Sequence, residues 1–200
     1  MLFNSLDFAL FLPLVFLAYW FVGGASLKRR NLIILMASYV FYCWWDWRFL
    51  SLLAFSSFVD YFVAIGLDSA RSRGRRKSLL ALSLTVNLGL LGFFKYFNFF
   101  AQEFSEAFTL LGMPFAASRL EIVLPVGISF YTFQTLSYSI DVYRGQLKAS
   151  RDPVAFAAYV SFFPQLVAGP IERAINLLPQ FARLQAFDRA KAADGMRQML

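Results

Sequence analysis

Residues 49–67 read FLSLLAFSSFVDYFVAIGL, and Asp60 is the only charged residue among them. A helix that spans a lipid bilayer needs about 20 mostly apolar residues, so this stretch predicts a membrane-spanning helix. Five other runs of similar character lie along the chain, at 8–27, 31–45, 78–94, 122–140 and 153–171. A strand of a membrane barrel would alternate polar and apolar residues, whereas these runs are apolar on every side. The pattern therefore predicts an all-α, polytopic membrane protein in which residues 1–200 form a single transmembrane domain.

The composition agrees with a lipid environment rather than an aqueous one. Hydrophobic residues make up 59% of the 200 residues and charged residues 16%, against roughly 45–50% and about 25% in soluble domains. The net charge is +7, but the basic residues fall in short loops and form no stripe on a polar surface. This distribution argues against nucleic acid as a partner and predicts the lipid bilayer as the partner instead.

The basic loops orient the predicted spans. Clusters of Lys and Arg lie at 28–30, 71–77 and 144–151, on alternate connections between the runs, whereas the intervening connections carry fewer basic residues. Cytoplasmic loops of membrane proteins are enriched in Lys and Arg. We therefore expect five spanning helices, with these three loops in the cytoplasm and the amino terminus outside.

The sixth run, 153–171, allows two interpretations. If it crosses the membrane, the basic tail 172–200 lies outside and breaks the charge pattern. Pro164, Gly169 and Pro170 interrupt the run, and a re-entrant segment would keep the tail in the cytoplasm, which is the interpretation we favour. The tail itself predicts an amphipathic helix at the interface, or a helix packed beneath further spans. Its apolar residues recur at helical spacing: Leu177, Leu178, Phe181, Leu184 and Phe187.

Polar residues within the predicted spans are candidates for function, because burying them in lipid is unfavourable. Asp60 is either such a candidate, or a carboxylate that lies near the interface or pairs with a basic residue of another span. Asn87 is expected to hydrogen-bond between helices. The fifth run carries several hydroxyls and an amide, so it either packs against other helices or lines a polar cavity.

The residue types that are missing limit the reactions and metal sites that these residues could support. The chain has no histidine and a single cysteine, Cys43, which excludes soft-metal sites and histidine-based acid–base catalysis within these residues. The sequence contains no phosphate-binding loop of the form G-x-x-x-x-G-K-[ST] and no G-x-S-x-G nucleophile elbow. We expect no metal site in this chain.

Two long signatures carry a resemblance to a known family. The first reads LPVGISFYTFQ at 124–134, followed by Tyr138 and by IDVYRG at 140–145, and the second reads YVSFFPQLVAGPIER at 159–173. Shorter matches are Leu2-Phe3-Asn4-Ser5, Tyr42-Cys43-Trp44-Trp45 and the stretch FKYFNFF at 94–100. In this order they resemble the membrane-bound O-acyltransferase family, in its bacterial alginate O-acetylation branch, over essentially the whole chain.

The resemblance implies a subunit of the bacterial inner membrane, with its amino terminus in the periplasm. Such a subunit takes an acyl group from a cytoplasmic thioester, with acetyl-CoA as the expected donor, and passes it outward. Partner proteins in the periplasm then acetylate an exopolysaccharide such as alginate. The family's mechanism uses a histidine inside the membrane, which would deprotonate a hydroxyl so that the hydroxyl attacks the thioester.

The sequence departs from the family because it has no histidine, and because family members are longer and carry their histidine in the later half. We therefore expect the amino-terminal part of such an enzyme, inactive as it stands and with no catalytic residue of its own. Two alternatives stay open. One is a component of a transporter or channel for a polar solute, and the other is a non-catalytic scaffold that binds partner subunits.

Ten residues of the two signatures are candidates for substrate contact. One group would line or gate the cytoplasmic side of a funnel through the membrane: Gln134, Tyr138, Asp141 and Arg144. A second group would shape the broken sixth run: Pro164, Gln165, Gly169 and Pro170. Glu172 and Arg173 would order that segment or contact the acyl donor.

Overall fold

The computed structural model describes residues 5–110, 124–168 and 172–199, and no strand occurs in them, so the all-α prediction is confirmed. The helices are α1 (Leu6–Leu17), continued by a π-helical turn (Ala18–Val22), α2 (Leu27–Asp46), α3 (Arg48–Ser69), α4 (Arg73–Leu110), α5 (Ile128–Tyr143), α6 (Pro153–Val160), α7 (Phe163–Ala168), α8 (Ala174–Phe181) and α9 (Arg189–Met199).

Side chains at the helix starts explain where two of the helices begin. The hydroxyl of Ser5 accepts a hydrogen bond from the backbone N–H of Phe8 at 3.2 Å, before the first turn of α1. Asp152 caps α6 by accepting from the N–H groups of Val154 at 2.9 Å and Ala155 at 3.1 Å. Pro153 follows as the first residue of α6, where no N–H donor is needed.

Two helices are long and apolar enough to cross a membrane, namely α3 and the part of α4 that covers Arg73–Glu103. The other apolar segments fall short for visible reasons. α1 and its π-helical turn end at Val22, α5 has only 16 residues, and α2 begins with the basic segment 28–30. The predicted count of five spanning helices is therefore not confirmed, and it stays a prediction.

The core lies where α3, α5 and α6 meet. Tyr138 of α5 and Phe156 of α6 pack with ring centroids 4.7 Å apart, and both side chains are almost completely buried. The other large contributors to this core come from the same three helices: Leu53, Leu67, Ile128, Tyr131, Tyr159 and Val160. α3 therefore packs at the centre, although it is also one of the two helices long enough to span.

The basic loops collect at one end of the bundle. Arg76, in the first turn of α4, donates from its guanidinium to the carbonyl oxygens of Leu67 at 2.6 Å and Tyr143 at 2.5 Å, so the carboxyl ends of α3 and α5 meet there. Arg151, just before α6, forms an ion pair with Asp68 at 2.8 Å. We call this the basic end, and its residues so far are 67–77 and 141–152.

The sixth run begins and ends at the basic end. α6 stops at Val160, a break at 161–162 separates it from α7, and Arg173 bonds to Asp141 at 2.8 Å. Arg151 and Arg173, on the two sides of the sixth run, thus both lie at the basic end, as a re-entrant segment would require. The re-entrant interpretation stays a prediction. Gly169 and Pro170, the predicted turn, lie outside the described residues.

The tail then runs along the basic end. α8 buries Ala174, Leu178 and Phe181, and the side-chain amide of Asn31 donates to the carbonyl oxygen of Phe181 at 2.8 Å. Farther on, the ring of Phe187 packs against Trp20 with centroids 5.1 Å apart. The apolar face is therefore present in α8, but the prediction of one amphipathic helix that continues through Leu184 and Phe187 is wrong, because α8 ends at Phe181 and residues 182–188 are not helical. Residues 24–31 and 172–187 also belong to the basic end.

Single cysteines should report this arrangement. In a chain with Cys43→Ser, we expect a membrane-impermeant maleimide to label Ala186→Cys and Ser72→Cys from the same side of membrane vesicles, because both exposed positions lie at the basic end. Trp47→Cys, 73% exposed between α2 and α3, should be labelled from the other side. Labelling of Ala186→Cys together with Trp47→Cys would contradict the return of the tail.

Gly127 makes the entry to α5 possible. Its φ is +78°, in the left-handed region that favours glycine. A Cβ at this position would lie 2.9 Å from the carbonyl oxygen of Leu166 in α7. The hydroxyl of Tyr42 also donates to the carbonyl oxygen of Val126 at 2.7 Å, so α2, α5 and α7 meet around this turn.

We expect Gly127→Ala to lower the free energy of unfolding by at least about 1–2 kcal/mol, because the left-handed conformation is unfavourable for alanine and the backbone of α7 is in the way. Gly89→Ala is the matched control, since Gly89 is exposed in α4 and its added Cβ would meet nothing within 4 Å. Thermal unfolding in detergent measures both. An equal melting temperature for Gly127→Ala and the unsubstituted chain would contradict the proposed role of the turn.

Candidate functional site

A buried polar network joins α3, α4 and α5 around Asp60, whose side chain has no exposed surface. The hydroxyl of Ser83 and the side-chain amide of Asn87, both in α4, donate to its two carboxyl oxygens at 2.5 and 2.7 Å. The hydroxyl of Ser139 in α5 donates at 3.2 Å. No Lys or Arg of the described segments forms an ion pair with Asp60, so among these residues hydrogen bonds alone satisfy its carboxyl group.

Asn87 completes the network. Its carbonyl oxygen accepts from the hydroxyls of Ser56 in α3 at 2.6 Å and Thr135 in α5 at 3.2 Å. The prediction that Asn87 bonds between helices is therefore confirmed. Because a buried carboxyl group needs donors and finds them on two neighbouring helices, the network holds α3, α4 and α5 in register.

A second set of polar side chains lies on another side of α5. Gln134, Tyr138 and Asp141 share this side because residues three and four apart in a helix lie on one face. The side-chain amide of Gln134 donates to the carbonyl oxygen of Tyr159 at 2.8 Å, and the hydroxyl of Tyr138 accepts from the N–H of Ser150 at 2.9 Å. These two residues attach α5 to α6 and to the loop before it.

Asp141 and Arg173 form an ion pair that links the two signatures. The guanidinium of Arg173 donates to one carboxylate oxygen of Asp141 at 2.8 Å. The two partners differ in exposure, because 1% of the Asp141 side chain is accessible against 58% of the Arg173 side chain. A buried carboxylate thus holds a cation that faces solvent at the basic end.

Three buried polar atoms have no hydrogen-bond partner within the described residues: the Tyr131 hydroxyl, the second carboxylate oxygen of Asp141 and the Gln165 side-chain nitrogen. Tyr131 and Asp141 lie on the same side of α5 as Gln134 and Tyr138, and Gln165 lies in α7. Buried polar groups in folded proteins are nearly always satisfied, so unpaired ones call for an explanation. These three belong to the segments that carry the family resemblance.

The remaining candidates are dispersed. Arg144 is exposed at the end of α5, Pro164 lines a groove between α1 and α7, and Glu172 accepts a hydrogen bond from the side-chain amide of Asn176. The structure therefore brings together Asp141 with Arg173, but it does not gather all the candidates into one cluster. The candidates Gly169 and Pro170 lie outside the described residues.

Two arginines have roles that the sequence analysis did not identify. Arg76 bonds the carboxyl ends of α3 and α5, as described above. Arg30 is only 8% exposed, and it donates to the carbonyl oxygens of Gly24 at 2.8 Å and Gln185 at 2.6 Å. The charge pattern predicts that both loops are cytoplasmic, but it gives no signal that a particular guanidinium turns inward to bind main-chain carbonyls.

Comparison with curated proteins identifies relatives along most of the chain. The protein named "Probable alginate O-acetylase" of Pseudomonas aeruginosa is 45% identical over 185 residues, which is 90% of this chain and 34% of the relative. Its counterpart in Azotobacter vinelandii is 44% identical over 184 residues, 90% of this chain and 36% of the relative. A "Peptidoglycan O-acetyltransferase" of Helicobacter pylori is 34% identical over 209 aligned residues, 90% of this chain and 38% of the relative.

The comparisons confirm the resemblance to the alginate O-acetylation branch of the membrane-bound O-acyltransferases that the two signatures carry. It spans about a third of the length of the curated relatives it matches. No protein-family model matches it, and no solved structure does. The resemblance agrees with the two helices, α3 and α4, that are long and apolar enough to cross a membrane.

Asn87→Ala should lower the free energy of unfolding by about 1–3 kcal/mol, because it removes a donor from Asp60 and an acceptor from two hydroxyls. Ser51→Ala is the control, since that hydroxyl is exposed and bonds within its own helix, and its effect should stay within about 0.5 kcal/mol. Thermal unfolding in detergent measures both. Equal stability of the two variants would show that the network contributes little.

Proposed function

We propose that the protein containing this chain is the membrane subunit of an O-acetylation system, and that it passes acetyl groups from a cytoplasmic thioester donor towards a polysaccharide outside the cytoplasm. The observation that carries the proposal is the 34–45% identity, over 90% of the chain, to proteins named as O-acetylases and an O-acetyltransferase. Acetyl-CoA is the proposed donor, an alginate-like exopolysaccharide the proposed acceptor, and periplasmic proteins the proposed partners that complete the transfer.

The charge distribution supports the proposed orientation in a bacterial inner membrane. The basic segments 28–30, 71–77 and 144–151 share one end of the bundle, and Lys and Arg are enriched on the cytoplasmic side of membrane proteins. The basic end is therefore proposed to face the cytoplasm, which leaves the amino terminus in the periplasm. The donor would then approach the end at which Asp141 and Arg173 form their ion pair.

Arg173 is the residue that we propose to contact the donor. A guanidinium binds phosphate through parallel hydrogen bonds, and coenzyme A is a phosphate-rich molecule. The buried carboxylate of Asp141 fixes the position of the guanidinium, while more than half of the Arg173 side chain stays accessible. Arg144, exposed at the end of α5, adds a second cation at the basic end.

Transfer of an acetyl group to a hydroxyl needs a general base to take the proton from that hydroxyl. The resemblance implies a histidine in this role, and these 200 residues contain none. We therefore propose that the chain binds and positions the acyl donor and that the general base lies outside these residues. The chain expressed alone is then not expected to acetylate polysaccharide.

The test is complementation of a strain that lacks its own membrane acetylation subunit, with polysaccharide-bound acetyl as the readout. The full-length protein should restore acetylation, and Asp141→Ala and Arg173→Ala should each reduce it about tenfold or more, because a charge-assisted contact is lost. Arg48→Ala is the control, since Arg48 pairs with Asp46 between α2 and α3, away from the basic end.

Immunoblots of washed membranes would show that each variant is present at the normal level. Full acetylation by both Asp141→Ala and Arg173→Ala would contradict the proposed donor contact. Absence of acetylation with the unsubstituted full-length protein, at normal membrane levels and with the partner proteins present, would contradict the O-acetyltransferase proposal itself.

A further inference from the structure

An apolar groove of about 340 Å³ lies between α1, α2, α7 and the tail. Its α1 wall is formed at three- and four-residue spacing by Leu12, Val15 and Phe16 and continues through Tyr19 and Trp20. The nine residues from Leu12 to Trp20 make this wall about 12 Å long, at about 1.5 Å of rise for each step. The groove falls within the range of about 300–1,000 Å³ that is usual for small-molecule sites.

The part of the groove lining that lies at the basic end is aromatic and polar, with Trp20, Asn31 and Gln185, and we call this part the mouth. Tyr19 and Trp20 lie in the π-helical turn that interrupts the regular geometry of α1, and such turns often occur at functional sites. The guanidinium of Arg30 lies 5.1 Å from the Tyr19 ring centroid and 4.7 Å from that of Trp20. Tyr and Trp are the side chains that prefer the boundary between lipid tails and water.

Arg30 and Gly23 hold this mouth in shape. Arg30 bonds the carbonyl oxygens of Gly24 and Gln185, so it ties the end of α1 to the tail across the groove. A Cβ on Gly23 would lie 2.4 Å from the carbonyl oxygen of Tyr19 and 2.7 Å from Cγ of Arg30. Only a glycine lets the arginine pass this close to the π-helical turn.

Two further cations precede Arg30 in the chain. Lys28 and Arg29 are exposed in the first turn of α2, next to Arg30. Within residues 5–110, 124–168 and 172–199, no carboxylate forms an ion pair with any of these three cations. The mouth therefore carries positive charge that a bound anion would complement.

We propose that the groove holds one acyl chain of an acidic phospholipid from the leaflet at the basic end, and that Lys28 and Arg29 bind the phosphate of its headgroup. The apolar wall between Leu12 and Trp20 suits a hydrocarbon chain. The aromatic turn lies at the depth where a glycerol ester would lie, and the unpaired cations lie where an anionic headgroup would lie. The proposal does not depend on the acetyltransferase activity.

The positive charge at the mouth favours an acidic phospholipid over a protein segment as the occupant of the groove. A bound helix from elsewhere would fill the apolar wall but would need its own acidic residues at the mouth. An acidic phospholipid combines both chemistries in one molecule, and juxtamembrane Lys and Arg residues attract such lipids. A second copy of this chain would instead bring a basic end against a basic end.

Native mass spectrometry of the purified 200-residue chain tests the proposal with two lipids of matched acyl chains, phosphatidylglycerol and phosphatidylcholine. We expect the chain to retain phosphatidylglycerol preferentially. The double substitution Lys28→Gln with Arg29→Gln should lower that retention roughly tenfold or more, to the level of phosphatidylcholine. Arg71→Gln with Arg73→Gln is the matched control, because it removes two exposed cations from another basic segment.

The groove itself is tested by Val15→Trp, which places a bulky ring in the α1 wall and should reduce the binding of both lipids. Leu14→Trp is the neighbouring control, since Leu14 is 66% exposed and lies outside the groove. As a second measurement, phosphatidylglycerol should raise the melting temperature of the unsubstituted chain and of Leu14→Trp, but not that of Val15→Trp.

Three results would overturn the proposal. The first is equal retention of the two lipids by the unsubstituted chain. The second is equal lipid binding and equal lipid-induced stabilisation for Val15→Trp and Leu14→Trp. The third is a dimer of the chain that Val15→Trp abolishes while lipid binding persists, which would assign the groove to a second copy.

Discussion

The hydrogen bonds of Asp60 are the constraint on which the rest of the structure depends. A carboxyl group with no exposed surface is tolerated only when donors surround it, and these donors come from α4 and α5. Because Ser139 of α5 bonds Asp60 and Thr135, one turn away, bonds Asn87, the rotation of α5 about its own axis is fixed. That rotation turns the side of α5 with Gln134 and Asp141 towards α6 and the tail.

The sequence pattern predicts the features that depend on local composition and fails for those that depend on distant partners. The apolar runs, the shared end of the basic loops and the apolar face of α8 follow from spacing and charge alone, whereas the predicted continuation of that helix through Phe187 does not occur. The partners of Asp60 do not, because they are hydroxyls and an amide 23–79 residues away, and nothing in a single sequence distinguishes them from other Ser and Asn residues. The fifth apolar run begins at 122, but α5 begins only at Ile128, because the left-handed conformation of Gly127 precedes the helix.

The charge pattern also treats all basic loop residues as equivalent, and the structure shows that they are not. Arg76 directs its guanidinium group at main-chain carbonyls near the carboxyl ends of α3 and α5, where unpaired C=O groups accumulate and a cation is favourable. Arg30 bonds the carbonyl oxygens of two non-helical residues, Gly24 and Gln185. Lys28 and Arg29, which belong to the same basic segment as Arg30, are exposed. The same enrichment in Lys and Arg therefore supplies both the guanidinium groups that bond main-chain carbonyls at the basic end and the exposed cations on its surface.

The two sides of α5 explain why the family signatures fall where they do. The side towards α3 and α4 has its polar groups satisfied by the Asp60 network. The other side and α7 carry the three unpaired atoms of Tyr131, Asp141 and Gln165, and leaving a buried polar group unpaired costs about 1–3 kcal/mol. All three lie within the stretches 124–145 and 159–173 that resemble the O-acyltransferases. The segments that carry the family resemblance thus contain buried polar atoms without a hydrogen-bond partner among the described residues. A further group that bonded these atoms would remove this cost and stabilise the folded state.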